Sequence, residues 1–153
     1  MKVFSPVEEN RRLIVISTNI AETSLTIPGV KYVVDCGKEK KKLYDSKIGL
    51  EKFTIDWISK ASADQRAGRA GRVAPGHCYR LFSSAVFDSL PDFSEPQIRT
   101  TPIDQTILAL KSIGVRNLTK FPFVTPPSNL SLLKAMQHLW VLGALSIENK
   151  ESR

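Results

Sequence analysis

The stretch Gln65-Arg66-Ala67-Gly68-Arg69-Ala70-Gly71-Arg72 constrains this chain more than any other. Ser62 precedes it, and Ser62 with Gln65 has the spacing of a capping box, which predicts a helix starting here. At about 100° of turn per residue, Gln65, Arg69 and Arg72 fall within roughly 60° of one another. Ala67 and Ala70 face the other side, small enough for close packing, and Arg66 stands off the group. Gly68 and Gly71 each cost a helix interior about 1 kcal/mol relative to Ala. A sequence that carries both between its arginines is making room for a neighbour. A triphosphate has the matching chemistry, because planar guanidinium forks pair with phosphate oxygens and stabilise charge in phosphoryl transfer. The alternative is a solvated basic helix whose Gln65 only caps the first turn.

The rest of the composition narrows the class. With 153 residues, 42% hydrophobic and 24% charged, the chain is globular rather than disordered and long enough for one ordinary domain. No stretch approaches the roughly 18 apolar residues of a membrane span, and Met1 to Pro6 lack the apolar core of a signal peptide. Cys36 and Cys78 have no metal spacing and suit a reducing compartment. His77 beside Cys78 raises the question of a metal. Strand neighbours point to opposite faces and no other ligand cluster exists, so no metal site is expected. Net charge is +7. Residues 38–72 hold ten basic and five acidic residues, so most of the excess sits in one stretch suited to a phosphate backbone.

Along the chain, Leu13-Ile14-Val15-Ile16 reads as a strand buried on both faces of a parallel sheet. A loop and short helix follow, closed by Pro28-Gly29, and Val30 to Asp35 is a second strand ended by Gly37. Together they predict a parallel α/β arrangement with ligands at the carboxyl ends of the strands, near Ser17-Thr18. Lys40 to Tyr44 and Leu50 to Trp57 flank a polar loop with Gly49 and predict a β-hairpin. Phe53, Ile55 and Trp57 alternate with Lys52, Thr54 and Asp56, so one face can pack while the other meets water or RNA. His77 to Phe82 is a third strand, and Pro91 to Pro96 a link at which we place a domain boundary. Thr101-Pro102-Ile103-Asp104 predicts a helix start, with Ile103, Ile107 and Leu110 inward and Gly114 at its end. Pro126-Pro127-Ser128 opens another helix with Leu132, Leu133, Met136, Leu139 and Trp140 as a core stripe, before Gly143.

Gln65 to Arg72 resembles helicase motif VI as written in DEAH-box RNA helicases. Ser17-Thr18-Asn19-Ile20-Ala21-Glu22-Thr23-Ser24-Leu25-Thr26-Ile27 is similar to their motif V. The similarity runs from Lys2 to about Leu145. It implies an incomplete RecA-like, P-loop NTPase-type α/β domain over residues 1–95, with an inserted hairpin, and a partial, mainly helical winged-helix domain over 96–153. It further implies that Arg69 and Arg72 are arginine fingers on ATP and that Gln65 holds the attacking water. Ser24 and Thr26 would lie at the nucleotide, Phe4 would stack on adenine, and Thr18 and Asn19 would meet the RNA backbone. Related helicases carry a hairpin near the RNA path, which adds Lys40, Lys41 and Lys42. Pro28 stands where relatives often carry an acid, which weakens the ribose contact of Thr26. Without the resemblance, Thr23 and Ser24 are ordinary helix caps and Phe4 a core residue.

No phosphate-cradling Gly-x-x-x-x-Gly-Lys-Ser/Thr loop and no Asp-Glu-Ala-His block occur in the sequence. In the family these bind ATP and Mg2+ on the first RecA-like domain, so the chain is expected to be part of a helicase and inactive alone. Asp35-Cys36-Gly37-Lys38, Trp57 to Ala63 and Tyr79 to Phe87 resemble most the nucleolar branch of small-subunit ribosome assembly. That implies RNA, a pre-ribosomal particle and a protein activator as partners, no membrane, and a nuclear, nucleolar location. A splicing helicase of the same family, or a non-enzymatic RNA- or partner-binding module derived from one, stays open.

Overall fold

Two short strands pair in parallel across a long insertion, and that pairing positions the arginine stretch. The computed structural model describes residues 2–5, 8, 10–45 and 48–146; Pro6 and the hairpin-loop residues Ser46 and Lys47 lie outside them. In chain order come a 3-10 turn (Lys2–Phe4), α1 (Ile20–Thr23), β1 (Tyr32–Asp35), β2 (Lys38–Asp45), β3 (Leu50–Trp57) and α2 (Lys60–Ala67). After them come β4 (His77–Arg80), α3 (Ser84–Ser89), α4 (Gln97–Thr100), α5 (Asp104–Ser112), a 3-10 turn (Leu118–Lys120) and α6 (Asn129–Val141). Among the described residues no helix is long and apolar enough to cross a membrane.

β1 and β4 are parallel, with Tyr32 opposite His77 and Asp35 opposite Arg80. The crossover between them holds the β2–β3 hairpin and α2. Two glycines permit the close approaches this path needs. At Gly37, φ is +69° and an added Cβ would lie 2.6 Å from the Phe82 ring. At Gly76 a Cβ would collide with the Ala70 carbonyl and come within 2.7 Å of the Lys31 carbonyl. The turn after the arginines is thereby pressed onto the start of β1, where His77 N–H donates to the Lys31 carbonyl at 2.9 Å.

The chain divides into two compact units, residues 1–41 with 55–94 and residues 42–54 with 95–153. The core of the first is Ile58, Ala63 and Leu90, flanked by Trp57, Phe82, Val86 and Phe87. The core of the second is Ile103, Ile107, Leu118, Leu132, Ala135 and Leu139, where α5 packs on α6. Ser128 caps α6, its Oγ accepting the Ser131 N–H at 3.0 Å. Gly114 and Gly143, both at positive φ, follow the ends of α5 and α6.

Several sequence expectations are corrected. Leu13 to Ile16 forms no strand, and Ile14 and Ile16 are 85% and 97% exposed. A doubly buried parallel strand needs ladder partners and a covering layer, and among the described residues the parallel ladder contains only β1 and β4. The capping hydroxyl of α2 is Ser59, not Ser62. Its Oγ accepts the Ser62 N–H at 3.2 Å, so the helix starts three residues early and ends at Ala67. Thr101 does not cap α5. Its hydroxyl donates instead to the Gln97 carbonyl at 2.8 Å, closing α4. Leu133 and Trp140 leave the α6 stripe for solvent, and Ala135 takes the core position between Leu132 and Leu139. Phe53 and Ile55, on the face expected to pack, are 63% and 74% exposed.

Candidate nucleotide and nucleic-acid interface

The arginine segment is a short helix followed by tight turns. Ser59 caps α2, and Ala63, fully buried, packs into the first core, so the opposite side with Asp64 and Gln65 faces water. Beyond Gly68 the bonds shift register: Arg69 N–H to the Arg66 carbonyl, Ala70 to Ala67 and Gly71 to Gly68, at 3.1, 3.1 and 3.3 Å. These are three-residue turns, so α-helical phase no longer relates Gln65 to Arg69 and Arg72. Ala70, 2% exposed, anchors the turn.

The three arginines then part company. Arg66 turns inward, donating through Nε to Glu22 Oε2 at 2.9 Å, and through Nη1 to Asp35 Oδ1 at 2.9 Å and the Lys38 carbonyl at 3.2 Å. The side chains of Arg66, Glu22 and Asp35 are only 13%, 10% and 2% exposed. Burial alone would lower the Arg66 pKa, but the hydrogen bonds to Glu22 and Asp35 outweigh it and raise it, so the guanidinium stays charged. Arg69 is half-buried, and its Nε and Nη1 are buried without a hydrogen-bond partner among the described residues. Arg72 is exposed and donates through Nη1 to the Thr26 hydroxyl.

The second segment sits against the first, with α1 touching α2. Thr18 is exposed; its Oγ1 accepts the Ile20 N–H at 3.5 Å, and its carbonyl accepts the Ser17 hydroxyl at 3.0 Å. Asn19 precedes α1 in helical conformation, and its side chain makes no capping hydrogen bond. Ser24 ends α1, its Oγ 3.4 Å from that of Thr23, and Thr26 lies beyond it with Arg72. Phe4 is 46% exposed in the first turn and belongs to neither core.

Of the hairpin lysines, Lys40 is exposed. Lys41 folds back on the base of the hairpin, donating to the Trp57 carbonyl at 2.8 Å with Glu39 and Asp56 at 3.4 and 3.7 Å. Lys42 pairs with Glu51 at 2.7 Å. Lys38, outside the predicted set, lies 3.3 Å over the Trp57 ring, a cation–π contact. Cys78 is half-buried in β4, and burial and then Asp35 push its thiol pKa up, which keeps it protonated. Among the described residues no group of three His, Cys, Asp or Glu side chains is arranged to hold a metal.

The structure therefore brings Arg72 to Thr26 and leaves Arg69 with open donors. Sequence reasoning missed Glu22 and Asp35. The signal for Asp35 was an acid closing an otherwise apolar strand, which needs a partner when buried.

The family described as "Helicase conserved C-terminal domain" matches residues 1–74. The human "Probable ATP-dependent RNA helicase DHX37" is 55% identical over 152 residues, 99% of this chain and 13% of its own length. The Saccharomyces cerevisiae "Probable ATP-dependent RNA helicase DHR1" is 51% identical over 152 residues, 99% of this chain and 12% of its own. The Arabidopsis thaliana "ATP-dependent RNA helicase DEAH13" is 54% identical over 146 residues, 95% and 12% of the two lengths. Among solved structures, the Escherichia coli DEAH/RHA helicase HrpB superposes with a TM-score of 0.86 at 36% identity. The match covers 95% of this chain and 18% of that one. The chain thus spans 12–13% of the length of these three relatives.

Proposed function

Because the chain belongs to the DEAH-box RNA helicase family, we propose that it is part of an ATP-dependent RNA helicase that moves 3′-to-5′ and remodels RNA–protein complexes. The observation that carries this reading is Arg69, whose buried Nε and Nη1 donors have no hydrogen-bond partner among the described residues. Donors desolvated in advance and left open suit charge that develops on a transferring phosphoryl group. ATP, when bound, supplies that group and the free energy of its transfer to water.

The chain's own residues then have distinct tasks. Arg69 and Arg72 donate to phosphate oxygens, and Arg72 exchanges the Thr26 hydroxyl for an anion. Gln65, exposed on α2, orients the attacking water. Thr26, once released, turns to the ribose, with Ser24 beside the nucleotide and Phe4 free to stack on the base. Thr18 and Asn19 hold the RNA backbone, and Lys40, Lys41 and Lys42 support it from the hairpin, where Lys41 exchanges its bond to the Trp57 carbonyl and Lys42 its pair with Glu51. Among the described residues no group of acidic side chains is arranged to hold a magnesium ion, and none is assigned to one. Residues 1–95 act as half of the second RecA-like domain and 96–153 as part of a winged helix, which the α5–α6 core supports. The blocks Asp35 to Lys38, Trp57 to Ala63 and Tyr79 to Phe87 favour small-subunit ribosome assembly in the nucleolus, on a pre-ribosomal particle and with a protein activator.

The test uses the intact protein. ATP turnover is measured with and without single-stranded RNA, and unwinding on duplexes with a 3′ or a 5′ tail. RNA-stimulated turnover and unwinding from the 3′ tail alone are expected. Turnover indifferent to RNA contradicts the reading, and crosslinking that recovers splicing RNA rather than pre-ribosomal RNA moves it to the splicing branch.

A further inference from the structure

Arg66 joins three segments that the proposed reaction uses separately. Its own helix carries Gln65 and leads into Arg69 and Arg72. Glu22 sits in α1, between the loop of Thr18 and Asn19 and the hydroxyls of Ser24 and Thr26. Asp35 closes β1, and its Oδ1 accepts both Arg66 Nη1 and the Gly37 N–H, each at 2.9 Å. All three side chains are at least 87% buried, which keeps solvent from screening the pairs. A planar fork holding two carboxylates at fixed angles fixes orientation as well as distance.

We propose that the Glu22–Arg66–Asp35 clasp is a positioning element that couples the RNA loop to the arginine turn, so that RNA held at Thr18 sets the placement of Arg69 and Arg72. The three residues touch neither nucleotide nor RNA and act through the segments they join. α1 is only four residues long and has no buried residue of its own, so apolar packing does not fix it. The ion pair from Arg66 Nε to Glu22 is the buried bond that ties it to α2. Movement of α1 on RNA contact is transmitted through that bond to the backbone that continues into Arg69.

This inference rests on the proposed helicase reading, and one experiment separates the two. Glu22→Gln keeps the shape and an oxygen acceptor but loses the charge, while Asp35 still neutralises Arg66. In the intact protein, nucleotide affinity is measured with and without RNA, RNA affinity with and without nucleotide, and turnover with and without RNA. Coupling between two sites is reciprocal and commonly amounts to about 5–150-fold. The clasp predicts that Glu22→Gln shrinks both affinity ratios together, by about 5-fold or more, and lowers RNA-stimulated turnover while basal turnover stays near wild type. Arg66→Lys, which retains charge but lacks the fork, does the same, and Glu22→Asp recovers part of the coupling. If the wild type shows no RNA dependence, the helicase reading falls and the clasp with it. If the wild type couples and folded Glu22→Gln couples equally well, only the clasp falls. An equal fall of basal and stimulated turnover in both variants also overturns it, because a merely structural bond would give that result.

Discussion

The two units are held together by different physics. Residues 95–146 bury six apolar side chains in one continuous cluster between α5 and α6, with the 3-10 turn beneath them. Among the described residues the arginine-bearing unit clusters three, Ile58, Ala63 and Leu90, buries Ala70 apart from them, and adds a charge cluster at Arg66. Apolar burial is non-directional and tolerates repacking, whereas a guanidinium shared by two carboxylates accepts one geometry. The helical unit spends its buried surface on cohesion. The other holds three segments at defined angles, as a site assembled from a loop, a strand end and a turn requires.

Removing one member of each cluster sharpens the contrast. Arg66→Ala leaves Glu22 and Asp35 buried without a cation and should destabilise the fold by about 3–5 kcal/mol. Leu139→Ala removes a core side chain that is 3% exposed and should cost about 2–5 kcal/mol. Denaturant midpoints measure both. The difference lies in repair: Leu139→Met should recover most of the loss, whereas Arg66→Lys should not, because one ammonium cannot serve both carboxylates at those angles. Equal recovery at the two sites would erase the distinction.

A smaller effect distinguishes the two serines at the start of α2. Ser59→Ala loses the oxygen that accepts the Ser62 N–H and should cost about 0.5–2 kcal/mol. Ser62→Ala leaves that acceptor in place and should change stability by less than about 0.5 kcal/mol. Thermal midpoints of the two variants decide it, and the reverse order would return the cap to Ser62.

These residues also mark what was legible in the sequence. The hairpin, the parallel strands around Tyr32 and His77, and the cap at Ser128 were readable because turn chemistry and apolar runs act over a few residues. Ser59 and Ser62 are both hydroxyls before the same apolar step, so the choice depended on Ala63 entering the core. Leu13 to Ile16 has strand composition, but a strand also needs partners, and no local pattern supplies them. Arg66 lies off the shared face of Gln65, Arg69 and Arg72, yet its partners are 44 and 31 residues away, at Glu22 and Asp35. The opposite states of Arg66 and Arg69, three residues apart and chemically identical, had no local signal at all.

That opposition is the centre of the account. Arg66 is ion-paired through Nε and Nη1 and leaves only its buried Nη2 without a hydrogen bond, whereas Arg69 holds two buried groups, Nε and Nη1, with no hydrogen-bond partner among the described residues. Donors kept unpaired destabilise a fold, and active sites tolerate such a loss for function. The direct measurement is a paired one on the intact protein, with thermal midpoint and RNA-stimulated ATP turnover recorded for Arg69→Ala and Arg66→Ala. Arg69→Ala should leave the midpoint unchanged or raised while turnover falls by about 10³–10⁵, the effect of losing an arginine finger. Arg66→Ala should lower the midpoint strongly, and the protein that stays folded should keep far more turnover than Arg69→Ala. Folded Arg69→Ala that hydrolyses ATP at the wild-type rate, with Arg66→Ala silent on the midpoint, would contradict the assignment of both residues.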